Sequence, residues 1–366
     1  MDQFNPHMLM LARDVRGLTQ PELAVFMSIT QGTLSKYENG INEPPDGFID
    51  AAGKALKFPP SFFCQPDRPY GFPPFHYRKR KKLSAKVLGK IVAEMNIRRM
   101  HIRKMLPSYP IQSNRFVPEI DRDEYGSARK GRLDIEDVAR AVRENWMVRS
   151  GPIENMMALL EDNGGIVVPC DFGTDLLDAM SQRIDGMPVL FFVNMHSPSD
   201  RLRHTLAHEL AHMVLHTIAL QDDAAMEDEA DAFAGAFLLP ADEVRHHLRK
   251  FDLRHLANMK GYWKVSMASI AVRAQRLNLI TPYQSRTFWV EMSRLQYRKR
   301  EPNEPPQERP TFLGRMIRHF GRTLGYTRED MAKFLDLLPV EFDEMYGADM
   351  LGLPPQNAGA HLRIVK

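Results

Sequence analysis

The pentapeptide His208-Glu209-Leu210-Ala211-His212 constrains this chain more than any other stretch. On an α-helix, residues four apart stand one turn above each other on the same face. His208 and His212 can therefore direct two imidazoles at one metal ion, with Glu209 projecting beside them. The pentapeptide lies within Leu202 to Pro240, the stretch around which the rest of the chain is organised.

A catalytic zinc usually keeps three protein ligands and one open position. A second apolar-periodic segment follows, from Glu227 to Pro240, in which Ala230, Ala234, Phe237 and Leu238 form one stripe at helical spacing. Glu227 continues that stripe toward the N-terminus and is the expected third ligand. Glu229 points roughly the opposite way on a helical wheel and stands in reserve. Asp231, one turn after Glu227, is placed to orient a metal-binding histidine through its free ring nitrogen. His204, His208, His212 and His216 all fall at four-residue steps, so 204/208 and 212/216 are alternative clamps. Only the 208/212 pair has a glutamate directly after its first histidine, the His-Glu-x-x-His spacing in which that glutamate serves as a base. Zinc is thus the expected cofactor, with His208, His212 and Glu227 as ligands and Glu209 as the catalytic residue.

With 366 residues the chain is long enough for two or three domains, each with its own core. The net charge is only +3, so any nucleic-acid signal must be local. Cys64 and Cys170 form neither a disulfide framework nor a Cys-x-x-Cys zinc site, which suits a reduced, cytoplasmic compartment. No basic-then-apolar leader opens the sequence, and the longest apolar run, around Val189 to Val193, is too short to span a bilayer. No membrane association is expected.

The front of the chain reads as short helices. Thr19 can cap a helix carrying Pro21 in its first turn, Thr30 can cap the next, and Gly40 ends it. Two short helices joined by a tight turn are the helix-turn-helix layout, whose second helix enters the DNA major groove. From Leu9 to about Phe63 the sequence resembles the XRE-type, Cro-like helix-turn-helix family. The resemblance implies that Gln20 touches a phosphate, that Gln31, Thr33, Ser35 and Lys36 line the groove-facing side, and that Arg13 and Glu38 lock the first helix to the recognition helix. Double-stranded DNA is the implied partner, and a homodimer is compatible with it. Two departures stand out: Ser28 replaces the usual turn glycine, and Gly32 inside the recognition helix costs roughly 1 kcal/mol of helix propensity and one base contact. The competing reading is a protein-interaction module that keeps only the fold.

A punctuated linker leads to Arg78, Lys79, Arg80, Lys81 and Lys82, and cations continue at wider spacing through Lys86, Lys90, Arg98, Arg99, Arg103 and Lys104. Leu83, Val87, Ile91, Met95 and Ile97 give this segment an apolar stripe, predicting a long basic helix. It either adds phosphate contacts or packs its basic face against acidic parts of the same chain. Past Asp134 the texture is α+β: helices over 135–149 and from Pro152 to Asn163, strands at Ile166 to Pro169 and Pro188 to Asn194, then the metal helix with Ser199 or Asp200 as cap. A helix over 241–249 and the segment 264–273 complete the helical side, and Glu301 to Pro310 reads as a Pro-rich linker. The last module, Leu313 to Tyr346, carries a Thr327 capping box and echoes the front domain, as a degenerate helix-turn-helix or a docking module; the tail from Leu353 reads as unstructured.

Pro188 to Asn194, Arg201-x-Arg-x-Thr-Leu-Ala-His-Glu-Leu-Ala-His212 and Glu227-x-x-Ala-Asp-Ala-Phe-Ala-x-x-Phe-Leu-Leu-Pro240 resemble the ImmA/IrrE family of zinc metallo-endopeptidases, over roughly Ile135 to Arg276. An XRE-type domain in front is a common arrangement there. The resemblance implies a bacterial or mobile-element enzyme that acts on a repressor- or antitoxin-like regulatory protein. His204, His216 and Tyr262 are candidates for the oxyanion-stabilising group. The fold class expected is multidomain and mainly α: a helix-turn-helix domain over 1–66, a basic linker and helix over 67–130, an α+β minimal zinc-metallopeptidase core over 131–295, and a Pro-rich linker, small helical module and tail over 296–366. The alternative is a DNA-binding regulator whose zinc domain senses a ligand or stress signal without proteolysis; a glutamate at 209 weighs against it, because a sensory site has no need of a base.

Overall fold

The computed structural model describes residues 3–71, 83–111, 115–120, 134–216, 223–298 and 300–347. The chain is mainly helical around one small sheet. At the front, α1 (Pro6–Val15), α2 (Gln20–Phe26), α3 (Gln31–Glu38) and α4 (Phe48–Leu56) close on Leu9, Leu23, Leu34, Leu56 and Phe62, all fully buried. Thr19 and Glu22 make a reciprocal capping box at α2, and the Thr30 side chain accepts from the Thr33 N–H at α3. Ser28 turns between them at φ +55°, a left-handed conformation that glycine adopts at no steric cost.

The expected basic helix forms as α5 (Ala85–Met105), but it runs through the interior. Ile91, Ile97, Ile102 and Met105 are fully buried, and Arg98 and Arg99 are buried with them. Arg99 donates to the two carboxylate oxygens of Asp67 at 3.1 and 3.0 Å, Arg98 to Glu94 at 2.9 Å and Lys104 to Asp336 at 2.6 Å. A charge leaves water only when its hydrogen bonds are replaced, so Arg98 and Arg99 are committed to carboxylates of the same chain and not to phosphates. Arg78, Lys79, Arg80, Lys81 and Lys82 lie outside the described residues.

Next come α6 (Ile135–Asn145) and α7 (Met156–Asp162). The first stops short of Arg149 because Met147 takes φ +53°; the second starts not at Pro152 but after Asn155, whose side chain accepts from the Ala158 N–H. Strands β1 (Gly165–Cys170), β2 (Ala179–Gln182) and β3 (Val189–Asn194) form a sheet of order β1-β3-β2. β1 runs parallel to β3 with Gly165 opposite Val189, and β2 runs antiparallel with Ala179 opposite Val193. Strand β2 escapes the sequence reading because its four residues, Ala-Met-Ser-Gln, carry no apolar alternation.

The helical side follows: α8 (Ser199–Leu215), α9 (Asp223–Leu238), α10 (Ala241–Val244), α11 (Leu253–Trp263), α12 (Met267–Arg276) and α13 (Pro282–Arg294). Neither Ser199 nor Asp200 caps α8. Pro198 occupies the cap position without a side-chain bond, while Asp200 pairs with buried Lys260. Alternate residues of the sheet then serve two cores. Val167, Ala179, Val189, Phe191 and Val193 pack with α6 to α9 and α11 to α13. Ile166, Val168, Cys170, Met180, Leu190 and Phe192 pack with α5, the front helices and the C-terminal module.

The proline-rich stretch is bound along the α/β core. Glu301 accepts from the N–H groups of Met267 (2.7 Å) and Ala268 (3.0 Å) at the start of α12, Glu304 from Ser199 at the start of α8 (3.3 Å), and Glu308 from Met157 at the start of α7 (2.9 Å). Three carboxylates thus meet three helix N-termini, where unpaired N–H groups and the helix dipole favour negative charge.

Beyond it lie α14 (Phe312–Thr323), α15 (Arg328–Phe334) and α16 (Pro339–Tyr346). At one constant spacing this module repeats the front domain. Left-handed Gly17 and Ser28 match left-handed Gly325 and Asp336, the Thr19–Glu22 capping box matches Thr327–Asp330, and buried Leu23, Ala24 and Leu34 match buried Met331, Ala332 and Phe342. At the positions expected to face a groove the chemistry differs: Gln31, Thr33, Ser35 and Lys36 correspond to Pro339, Glu341, Asp343 and Glu344. Glu341 is paired with Arg16 of the front domain at 3.0 Å. Residues 348–366, which include the tail, lie outside the described residues.

Candidate metal centre

Helix α8 is buried on nearly every side. Ala207 and Ala211 of α8, and Ala230 and Ala234 of α9, are fully buried in the same core. Small side chains let two helices approach closely, and this brings the start of α9 beside the imidazoles. Nε2 of His208 faces Nε2 of His212 at 3.1 Å. Glu227 offers Oε1 to His212 at 3.4 Å and Oε2 to His208 at 3.8 Å. One donor atom from each of these three residues lies within 4.8 Å of the others. Among the described residues this is the cluster that could hold a metal ion.

Asp231 Oδ1 lies 2.8 Å from His208 Nδ1. Burial pushes the Asp231 carboxyl up, but the hydrogen bond and charge of His208 outweigh it and leave the carboxyl below its ordinary range. Glu229, the reserve ligand, turns away to His216 Nε2 at 3.0 Å. His204, one turn before His208, is drawn down to about 4, chiefly by burial. Tyr262, more than half exposed, has His247 and Trp263 as its ring neighbours and is not brought to the cluster.

Glu209 is completely buried on the sheet side of α8. The Ser181 hydroxyl of β2 donates to its Oε2 at 2.8 Å. Sequence reasoning missed Ser181, and a lone serine in a short polar stretch offered no signal by which to find it.

The residues present fit a zinc ion. With Nδ1 of His208 engaged by a carboxylate, its proton belongs on Nδ1 and a lone pair on Nε2. Two imidazole nitrogens and a carboxylate within 4.8 Å of one another would offer the N₂O donor set that a catalytic zinc uses.

In the front domain Arg13 donates to both oxygens of Glu38 at 2.6 and 3.2 Å, tying α1 to α3. Gln20 donates to the same carboxylate at 2.7 Å, so its amide nitrogen is turned inward. Gln31 and Lys36 are exposed; Thr33 and Ser35 are half-buried, with the Thr33 hydroxyl 2.8 Å from that of Thr30.

Two family models match parts of the chain. Residues 161–275, from the end of α7 through α12, match the family model of the IrrE N-terminal-like domain, and residues 9–63 match that of the helix-turn-helix domain. The chain therefore joins a helix-turn-helix domain to an IrrE-like, peptidase-type domain, in that order. Neither the curated proteins nor the solved structures gave a match. No helix among the described residues is long and apolar enough to cross a membrane.

Proposed function

We propose that this chain is a cytoplasmic zinc-dependent endopeptidase that binds double-stranded DNA through its front domain and cuts a regulatory protein. The observation that carries this reading is the separation of roles around α8. His208, His212 and Glu227 converge, while Glu209, on the same turn, stays outside the ligand set and is held by Ser181. A purely structural ion has no use for such a carboxylate.

His208, His212 and Glu227 would hold a zinc ion, which would supply Lewis acidity toward a peptide carbonyl and toward water. Glu209 takes the water proton on its carboxylate and passes it to the leaving amine, assistance typically worth about 10²–10⁴ in rate. Asp231 holds the His208 ring in the tautomer that leaves Nε2 free for metal. Burial of the base excludes bulk water from it and limits access, as suits an enzyme with few substrates. In the front domain Gln31, Thr33, Ser35 and Lys36 face the groove, with Arg78 to Lys82 adding phosphate contacts.

The test compares new protein N-termini, by mass spectrometry, in cells making the wild type, Glu209→Gln or His208→Ala. Glu209→Gln keeps its metal and should lose the same cleavages as His208→Ala. Cleavages that persist in Glu209→Gln would overturn the peptidase reading. Gene regulation lost in His208→Ala alone would point to a regulator that senses without cutting.

A further inference from the structure

The reading of His208, His212 and Glu227 as metal ligands leaves one ring nitrogen unexplained. If both histidines ligate through Nε2, each must carry its proton on Nδ1. His208 donates that proton to Asp231. At Nδ1 of His212 the neighbour is Nδ1 of His216, at 2.9 Å. For His216 to accept, its Nδ1 must be bare, which puts its own proton on Nε2. That nitrogen lies 3.0 Å from Oε2 of Glu229. One assignment of neutral tautomers therefore satisfies the whole chain of contacts, from the ligating nitrogen of His212 to the Glu229 carboxylate.

We infer that His216 and Glu229 are positioning residues for the metal ligand His212, with His216 relaying a carboxylate's hold across an intervening imidazole. Both ring nitrogens of His216 are then in use, which removes it from any role as ligand or oxyanion donor. Glu229 is likewise removed from the ligand set. The site would have one short support, Asp231 on His208, and one long one, His216 and Glu229 on His212. The geometry has a simple origin. His212 and His216 are one turn apart on α8 and its cap, while Glu227 and Glu229, two residues apart, leave α9 in different directions.

The experiment titrates the full metal-free chain with Zn²⁺ against a chromophoric chelator and records the visible spectrum with Co²⁺. Groups that orient a ligating histidine typically contribute about 10–100-fold in metal affinity. Glu229→Gln and His216→Asn should each weaken zinc by about tenfold, since the asparagine amide can still accept from His212 but cannot reach Glu229. His216→Leu should weaken it toward about a hundredfold and shift the cobalt bands. Asp228→Asn, which removes an equal charge from α9 at an exposed pair with Arg276, should change neither. Unchanged affinity and spectrum in His216→Leu, or a lower melting temperature of the metal-free protein with no change in affinity, would overturn the inference. Should His216→Leu not fold, Glu229→Gln and His216→Asn decide it by their difference from Asp228→Asn. A wild-type chain without tight zinc binding would instead sink the ligand reading on which this one rests.

Discussion

Ser181 donates its hydroxyl to Glu209 at 2.8 Å, and both side chains are completely buried between the edge strand β2 and helix α8. The same hydroxyl lies 3.3 Å from the Glu209 carbonyl oxygen. The strand thus fixes the carboxylate in place without belonging to the ligand set.

Removing that hydroxyl should loosen the base while sparing the metal. A hydrogen bond to a charged group contributes about 1.5–3 kcal/mol, so Ser181→Ala should lower the cleavage rate by roughly tenfold to a hundredfold at unchanged zinc content. Ser181→Thr should recover most of it. Zinc lost in step with activity would mean that Ser181 supports the fold and not the base.

Metal analysis of purified protein tests the ligand set. The wild type should carry a single zinc, and His208→Ala or His212→Ala should abolish it. Glu227→Gln should weaken binding more than Glu229→Gln, because the first removes a ligand and the second only a distant support. The reverse order would hand the third position to Glu229.

In the front domain, Arg13→Met leaves the Glu38 carboxylate, only 3% exposed, without its guanidinium. Breaking a buried pair by removing one partner costs about 3–5 kcal/mol, so the variant should melt at a lower temperature and bind DNA more weakly. Gln31→Ala should instead alter sequence preference with the domain intact. Neutralising Arg78, Lys79, Arg80, Lys81 and Lys82 should flatten the salt dependence of binding. Charge reversal at Glu344 should leave it unchanged, since α16 presents acidic residues where α3 presents Lys36. Gel shifts at several salt concentrations separate these outcomes.

The bound proline-rich stretch should matter for stability. Glu308 pairs with Arg203, whose side chain is buried, and caps α7 as well. Glu308→Ala should destabilise the protein by about 3–5 kcal/mol, read as a lower melting temperature. A stretch that served only as a tether would tolerate the change.

A buried histidine sets an acid limit. His101 is held at 2.6 Å from the Tyr346 hydroxyl, with Arg98 and Lys104 on its own helix and the Leu335 backbone against it. Burial first, then those two cations, draw it down from 6.5 to about 3. Because the folded value lies below the unfolded one, the unfolded chain takes up a proton that the native ring refuses. Its contribution is complete above pH 6.5 and is lost as the pH falls toward 3, by up to about 1.4 kcal/mol per unit. His204, drawn down to about 4, acts in the same direction. His101→Gln should flatten this acid limb in urea titrations across that window; an unchanged limb would assign the effect to other groups.

Much of this molecule was legible in the sequence because it depends on short spacings. Four-residue steps put His208 and His212 on one face, and capping residues marked the starts of α2, α3 and α15. The stripe through Ala230, Ala234 and Phe237 declared which face of α9 would be buried. Such features are set by the repeat of a helix and need no distant partner. The tertiary structure decided what lies between elements: that Glu227, and not Glu229, stands beside the two Nε2 atoms, that Ser181 reaches Glu209, and that Arg98 and Arg99 are interior residues. It also turned a proline-rich stretch into a row of helix caps. Each of these joins residues remote in sequence or depends on how one helix rotates against another. Burial of a charge follows from its partner's position, and composition and period carry no record of that position.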